Sequence, residues 1–249
     1  MQLREYDIMY ELEPSYWWHS GMRSIMDGLI GKSIDPDSKL LDIGCGTGAR
    51  LKMLSGRCET WGIDSHPRAV EFCRRRGLKN ISVAEAADLP FPDGVFTHAT
   101  CCEVLQNLDD DLVALKEAFR VLRPGGIFYV SEQAYPLLRT RHDISQGAVR
   151  RYSKSHLKSL LAAAGFGIER LTAANTVLFP LLAAYRLTSR LKNPPAKMRP
   201  EESLSDLHPL PGPVNYILRS VLEAERGVIE KTNLPFGLTL IAVARKPAT

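Results

Sequence analysis

The reading of the chain turns on Lys39-Leu40-Leu41-Asp42-Ile43-Gly44-Cys45-Gly46-Thr47-Gly48-Ala49. Leu40, Leu41 and Ile43 supply the apolar run of a buried strand. Gly44, Gly46 and Gly48 let the backbone turn sharply and approach a ligand closely. A strand that runs through such a turn into a helix is a ligand platform of open α/β sheets. Gly44-x-Gly46-x-x-Ala49 also fits a loose dinucleotide fingerprint, which is weak by itself. Asp42 argues against a dinucleotide, because a carboxylate beside the turn repels a pyrophosphate and suits a cation such as an amino group near a sulfonium.

Two further acids stand at the ends of the next strand-like runs. Asp64 closes Thr60-Trp61-Gly62-Ile63, about 20 residues past Gly44, where a ribose-binding acid is expected. Glu85 follows Ile81-Ser82-Val83-Ala84 and is placed to accept a hydrogen bond from an adenine amino group. Three acids at three successive strand ends fit S-adenosylmethionine better than a dinucleotide.

On Leu41 to Gly48, Gly62-Ile63-Asp64, Leu89-Pro90-Phe91-Pro92-Asp93-Gly94 and Val121-Leu122-Arg123-Pro124-Gly125-Gly126, the chain resembles the class I S-adenosylmethionine-dependent methyltransferases. The resemblance covers roughly residues 36–175. It implies a Rossmann-like, seven-stranded, mostly parallel sheet with helices on both faces, and an enzyme that transfers a methyl group. It implies cofactor contacts from Asp42, Gly44, Cys45, Gly46, Gly48, Asp64, Ser65, Glu85, Ala86 and Cys101. Tyr16-Trp17-Trp18-His19 is similar to the Trp-Trp leader of a bacterial small-molecule branch of these enzymes. The same branch carries His-Asp and then Gly-His-x-Arg-Arg-Tyr after the fifth strand; this chain has His142-Asp143 and Gly147-Ala148-Val149-Arg150-Arg151-Tyr152, with Ala148 at the second histidine's place.

The rest of the chain fits one domain with elaborations. Residues 1–35 are expected to form a cap, with Met22, Ile25, Met26, Leu29 and Ile30 on one helical face. Residues 36–175 alternate strand and helix, the signature of a parallel sheet. Residues 176–236 are a helical insertion, with helices expected over 176–191 and 214–231 and a proline-rich extended loop between them. Residues 237–249 return as the last strand and tail.

Ligands of open α/β sheets lie beyond the C-terminal strand ends, so residues 132–152 are expected to meet the acceptor. His142, Asp143 and His19 are the bases nominated for removing an acceptor proton. Trp17, Trp18, Tyr135, Arg150, Arg151 and Tyr152 are nominated for substrate binding, the arginines for an anionic or polar part. A small-molecule acceptor, methylated on oxygen, nitrogen or carbon, is the first reading. A macromolecular acceptor such as RNA, or a non-catalytic binding protein with this fold, are the others.

Composition sets the remaining bounds. Net charge is +4, too small to argue for nucleic acid, and no nucleic-acid module is visible. The charge is uneven: residues 139–199 hold twelve Lys and Arg against two acids. Solvated helix faces, an anion-binding segment and contact with a membrane surface all accommodate that band. The five cysteines form no C-x-x-C pair, which fits a reducing compartment, and no metal site is expected. Polar leading residues and the lack of an apolar run of about 18 residues point to a cytoplasmic chain without a membrane span. Oligomeric state is left open.

Overall fold

The computed structural model describes residues 3–192 and 208–248. Most of the expected proline-rich loop therefore lies outside the described residues. Two helices lead, α1 (Leu3–Leu12) and α2 (Trp17–Ile30), and the strand and helix alternation follows. It runs β1 (Lys39–Ile43), α3 (Ala49–Leu54), β2 (Glu59–Asp64), α4 (Pro67–Arg75), β3 (Asn80–Val83), β4 (Phe96–Cys102), α5 (Asp111–Val121) and β5 (Leu122–Gln133). The short α6 (Arg141–Ser145), α7 (Lys154–Ala163), β6 (Gly167–Ala174), α8 (Phe179–Lys192), α9 (Gly212–Ile229) and β7 (Thr239–Arg245) complete it.

The seven strands order β3-β2-β1-β4-β5-β7-β6. All pairs among β1 to β5 are parallel, and β7 enters antiparallel between β5 and β6. This is the Rossmann-like sheet expected from the sequence. Parallel strands covered on both faces read as continuous apolar runs, and Leu40, Leu41, Ile43, Phe128 and Val130 are all buried. One core lies between the sheet and α5 and α7, centred on Phe96, Leu115, Phe128 and Leu161. The other lies under α2, α3 and α4, with Ile25, Met26, Leu51, Leu54 and Ile241.

Helix starts follow local chemistry. The Asp110 carboxylate accepts the N–H groups of Leu112 and Val113 at the head of α5, and Pro67 occupies the first turn of α4. The cap and the insertion, far apart in sequence, pack on each other. Gly21 of α2 lies so close to Leu222 of α9 that a Cβ there would collide with its side chain. The Asn215 side chain of α9 accepts the N–H of Trp17 at 2.8 Å and donates to the Ser15 carbonyl at 3.0 Å. The aromatic leader is thus clamped at the start of α2. By contrast α8 buries none of its residues; Leu181 and Leu191 are exposed, and Arg190 hydrogen-bonds the Leu137 carbonyl at 2.9 Å. No described helix is long and apolar enough to cross a membrane.

Candidate cofactor and acceptor site

A cavity of about 610 Å³ runs along the C-terminal strand ends, under α1 and the start of α2. Its first end is the glycine turn. Gly44 and Gly46 hold φ of 69° and 55°, a region that favours glycine. A Cβ on Gly44 would run into the Val104 side chain, and one on Gly46 would come 2.9 Å from the Met9 methyl carbon of α1. The backbone itself therefore forms the cavity floor.

Asp64, at the end of β2, faces this floor. One carboxylate oxygen accepts the Gly46 N–H at 3.0 Å; the other accepts the His66 N–H at 3.0 Å and, at 3.4 Å, the Tyr6 hydroxyl. Burial pushes the Asp64 carboxyl up, and those two N–H groups and Tyr6 pull it back. Ser65, Glu85 and Ala86 line the same end.

The helix that follows the turn is already capped by an acid. Glu13, just after α1, reaches the Thr47 hydroxyl and accepts the Ala49 N–H at 3.4 Å. Arg76 stands 3.7 Å away and also donates to the Thr47 carbonyl at 2.7 Å. An anion at the α3 N-terminus is the hallmark of pyrophosphate binding, and here the chain's own carboxylate fills that position. This excludes a phosphate cradle of the dinucleotide kind at this turn. What remains open is the Gly44–Gly46 floor beside Asp64, which fits a nucleoside attached to a sulfonium.

Asp42 departs from its expected role. It is fully buried beneath the turn and away from the cavity, with its two oxygens 2.7 and 2.9 Å from one Arg50 nitrogen and one oxygen accepting the Thr100 hydroxyl at 2.6 Å. Burial raises its pKa against the pull of Arg50 and Thr100. Arg50, not Asp42, lines the cavity. Gly48 and Cys101 also lie off the cavity. Gly48 is the left-handed cap of α3, packed against Cys73 and Leu78, and Cys101 is buried in the sheet.

The second end of the cavity gathers residues from α2, the ends of β4, β5 and β6, the segment after β5, and α8. Trp17, Trp18, His19, His142 and Arg151 line the cavity. His19 is packed edge-on against Trp18 with ring centroids 5.0 Å apart, and its Nε2 is buried without a hydrogen-bond partner. Burial lowers its pKa to about 4; Glu13 opposes this, while Arg23, Arg50 and the nearby His142 lower it further. His19 is therefore neutral near pH 7.

Asp143 does not face the cavity. Its carboxylate is fully buried, accepts the Thr140 N–H at 2.6 Å and two Arg151 nitrogens at 2.9 and 2.6 Å, and sits 3.2 Å from Arg186. Burial raises its pKa, but Arg151 and Arg186 outweigh it and hold the carboxyl below the usual range. A carboxylate held by two guanidinium groups orders the segment and is a poor base. Arg151 also donates to the Ala134 carbonyl at 2.9 Å, so its place in the wall is structural as well.

Arg150 and Tyr152 are turned away. The Arg150 guanidinium and the Tyr152 hydroxyl both bond Asp111 of α5, at 2.9 and 2.8 Å, outside the cavity. Their expected substrate role has no support in this geometry. Tyr135 packs on Phe179, ring centroids 5.2 Å apart, and also stands off the cavity.

Several cavity residues escaped the sequence reading. Tyr6 and Met9 arrive on the leading helix α1 and Glu13 just after it, in a stretch whose sequence points only to a cap. Arg50 carries no local signal, because Asp42 is on β1 and Arg50 on α3, with the glycine turn between them. Glu103, Gln106, Gln133 and Asn175 belong to strand ends and the turns that follow them; an acid in the otherwise apolar Ala99-Thr100-Cys101-Cys102-Glu103-Val104-Leu105 was the available signal.

Comparison with known proteins agrees with the fold. Residues 41–130 match the methyltransferase domain family. That match spans about a third of the chain, and with the observed strand order it gives the chain the fold of the class I S-adenosylmethionine-dependent methyltransferases. A demethylmenaquinone methyltransferase of Staphylococcus aureus is 37% identical over 108 residues, which cover 40% of this chain and 45% of that protein. The match thus spans less than half the length of the curated relative.

Two solved structures share the fold over nearly the whole chain. The [4+2]-cyclase SpnF superposes with a TM-score of 0.62 at 23% identity, covering 99% of this chain and 95% of that one. A Thermotoga maritima methyltransferase, described as a possible histamine N-methyltransferase, gives 0.60 at 20% identity, covering 98% and 96%.

Proposed function

We propose that the protein transfers a methyl group from S-adenosylmethionine to a small, partly apolar acceptor. The observation that carries this reading is the Gly44–Gly46 floor beside Asp64, at a turn whose helix N-terminus Glu13 has already filled. Asp64 takes the ribose hydroxyls, Glu85 and Ala86 meet the adenine, and Tyr6 and Met9 cover the site.

The donor supplies an electrophilic methyl on a cationic sulfur. Transfer needs sulfur, carbon and acceptor in line, so the protein contributes position and exclusion of water. Trp17, Trp18, Met22, Met26, Leu182 and Tyr185 give the other end an apolar and aromatic wall. That wall favours a flat apolar molecule with a polar head, and the name of the Staphylococcus aureus relative is in keeping with such an acceptor. His19 and His142, which reach the cavity from α2 and α6, orient the head group.

Calorimetry tests the first half: S-adenosylhomocysteine should bind with one site per chain, and NADH should not compete. Failure of S-adenosylhomocysteine to bind would refute the reading. For the second half, labelled methyl from the donor should enter the organic extract of a small-molecule pool, and nuclease treatment should leave that label unchanged.

A further inference from the structure

Among the described residues three non-glycine positions hold left-handed backbone: Glu103 at φ 60°, Tyr135 at 62° and Asn175 at 62°. They follow the C-terminal ends of β4, β5 and β6, which run in one direction and so bring all three to the same end of the sheet. Such conformations persist where the surroundings impose them, and they cluster at functional sites. Glu103 and Asn175 both line the cavity, and both present oxygens that are buried without a hydrogen bond. The side-chain oxygens of Gln106 and Gln133 are in the same condition in the same cavity. Buried polar groups are normally paired, so this end is short of donors.

The cations nearby are already engaged. The charged and titratable groups that act on Glu103 or feel it include Arg151, Asp143 of α6, Arg50 of α3, Cys102 of β4, and Tyr129 and Glu132 of β5. Arg50 is paired with Asp42 and Arg151 with Asp143. Glu132 collects the N–H groups of Val104, Leu105 and Gln106 at 3.1, 2.8 and 3.2 Å, leaving none of these for Glu103. Gln133 is the amide beside the Glu103 carboxyl.

We propose that Glu103 is the proton acceptor for the molecule being methylated, which carries an O–H or N–H group on an apolar ring, with Gln106, Gln133 and Asn175 fixing that group's direction. This rests on the methyl-transfer reading. In the step, the acceptor's oxygen or nitrogen lone pair forms the new bond to the methyl carbon. The carbon–sulfur bond breaks with its electron pair going to sulfur, whose positive charge disappears. The proton leaves the acceptor for the Glu103 carboxylate, which becomes a carboxylic acid and later returns the proton to solvent. Burial pushes the Glu103 carboxyl up to about 8, Arg151 and Gln133 opposing, so it takes up and gives back a proton near neutral pH. His19, held near 4, is a much weaker base.

The experiment uses the full chain saturated with S-adenosylhomocysteine at pH 8 and three probes of one shape: 2-naphthol, 2-aminonaphthalene and 2-methylnaphthalene. Calorimetry should show the hydroxyl or amine probe binding about tenfold or more tighter than the hydrocarbon, the scale of a bond to a charged group. That preference should shrink in Glu103→Gln and vanish in Glu103→Met, while S-adenosylhomocysteine affinity, the control for folding, stays unchanged. Carbon-13 spectra of labelled glutamate should show one carboxyl titrating near 8, absent in Glu103→Gln and displaced by 2-naphthol. Equal binding of the three probes, no binding by any of them, or a preference that survives in Glu103→Met overturns the assignment of Glu103 alone. Failure of S-adenosylhomocysteine to bind brings down the methyl-transfer reading and this inference with it.

Discussion

The two ends of the cavity are built on opposite terms. At the nucleoside end the polar groups have partners in the chain itself: Asp64 accepts from Gly46, His66 and Tyr6, and Glu13 caps α3. At the end proposed for the acceptor, Glu103, Gln106, Gln133, Asn175 and His19 keep buried atoms without partners. The first end is preorganised, and a ligand exchanges one set of bonds for another. The second holds back polar atoms that a donor-bearing molecule would satisfy, at a cost in stability that a site accepts for its function. Behind the cavity wall, the buried carboxylates of Asp42 and Asp143 hold the wall arginines, Arg50 on the first and Arg151 and Arg186 on the second.

Breaking the Asp143 group should have the largest effect. Asp143→Ala leaves Arg151 buried beside Arg186 with no counter-ion, and removal of one partner of a buried pair costs roughly 3–5 kcal/mol. Urea unfolding should show a loss on that scale, with the acceptor end affected before the nucleoside end in hydrogen exchange. A loss under about 1 kcal/mol would mean that the pair behaves as a surface bridge.

Asp64→Ala sharpens the contrast from the nucleoside side. It removes bonds to a charged group, so S-adenosylhomocysteine should bind more weakly by roughly 1.5–3 kcal/mol. Unchanged affinity would remove Asp64 from the site.

The pH dependence of stability probes the acceptor end with no ligand present. The folded Glu103 carboxyl is raised from 4.5 to about 8. A group raised in the folded state supports stability below its unfolded value, and that support is lost as pH rises through the folded one. Between 4.5 and 8 the wild-type protein is therefore progressively destabilised by this residue. Glu103→Gln should match the wild type at pH 4.5 and melt several degrees higher at pH 8. Parallel melting curves at the two pH values would contradict the assignment of an uncompensated acid. Tyr6→Phe should have the smallest effect. It removes one long bond to Asp64, and S-adenosylhomocysteine affinity should drop by about 0.5–1 kcal/mol at most.

The same contrast governs what the sequence disclosed. The floor of the nucleoside end is continuous in sequence, since a strand, a glycine turn and an acid at the next strand end carry it within residues 39–64. Apolar runs and turn residues also disclosed the alternation of strand and helix over residues 36–175, which the structure shows. Asp42 misled because an acid next to a turn does not reveal a partner on the following helix; Arg50 completes the pair only after folding.

The acceptor end is assembled from segments far apart, so no local pattern marks it. His142, Asp143, Arg150, Arg151 and Tyr152 stand together in sequence, yet the turn of α6 and its capping by Asp143 send His142 and Arg151 to the cavity and Arg150 and Tyr152 to Asp111. The leading helix was hidden by its polar composition, although Tyr6, Met9 and Tyr10 fall at helical spacing and pack against Ala69 and Phe72 of α4.

The central claim is that one cavity has two independently built ends, one for the donor and one for the molecule that receives its methyl. Crossed calorimetry tests it most directly: S-adenosylhomocysteine and, at saturating S-adenosylhomocysteine, 2-naphthol, each titrated into Asp64→Ala and Glu103→Met. The two-ended cavity predicts that Asp64→Ala weakens S-adenosylhomocysteine and leaves 2-naphthol unchanged, while Glu103→Met does the reverse. Equal losses of both ligands in both variants would contradict it.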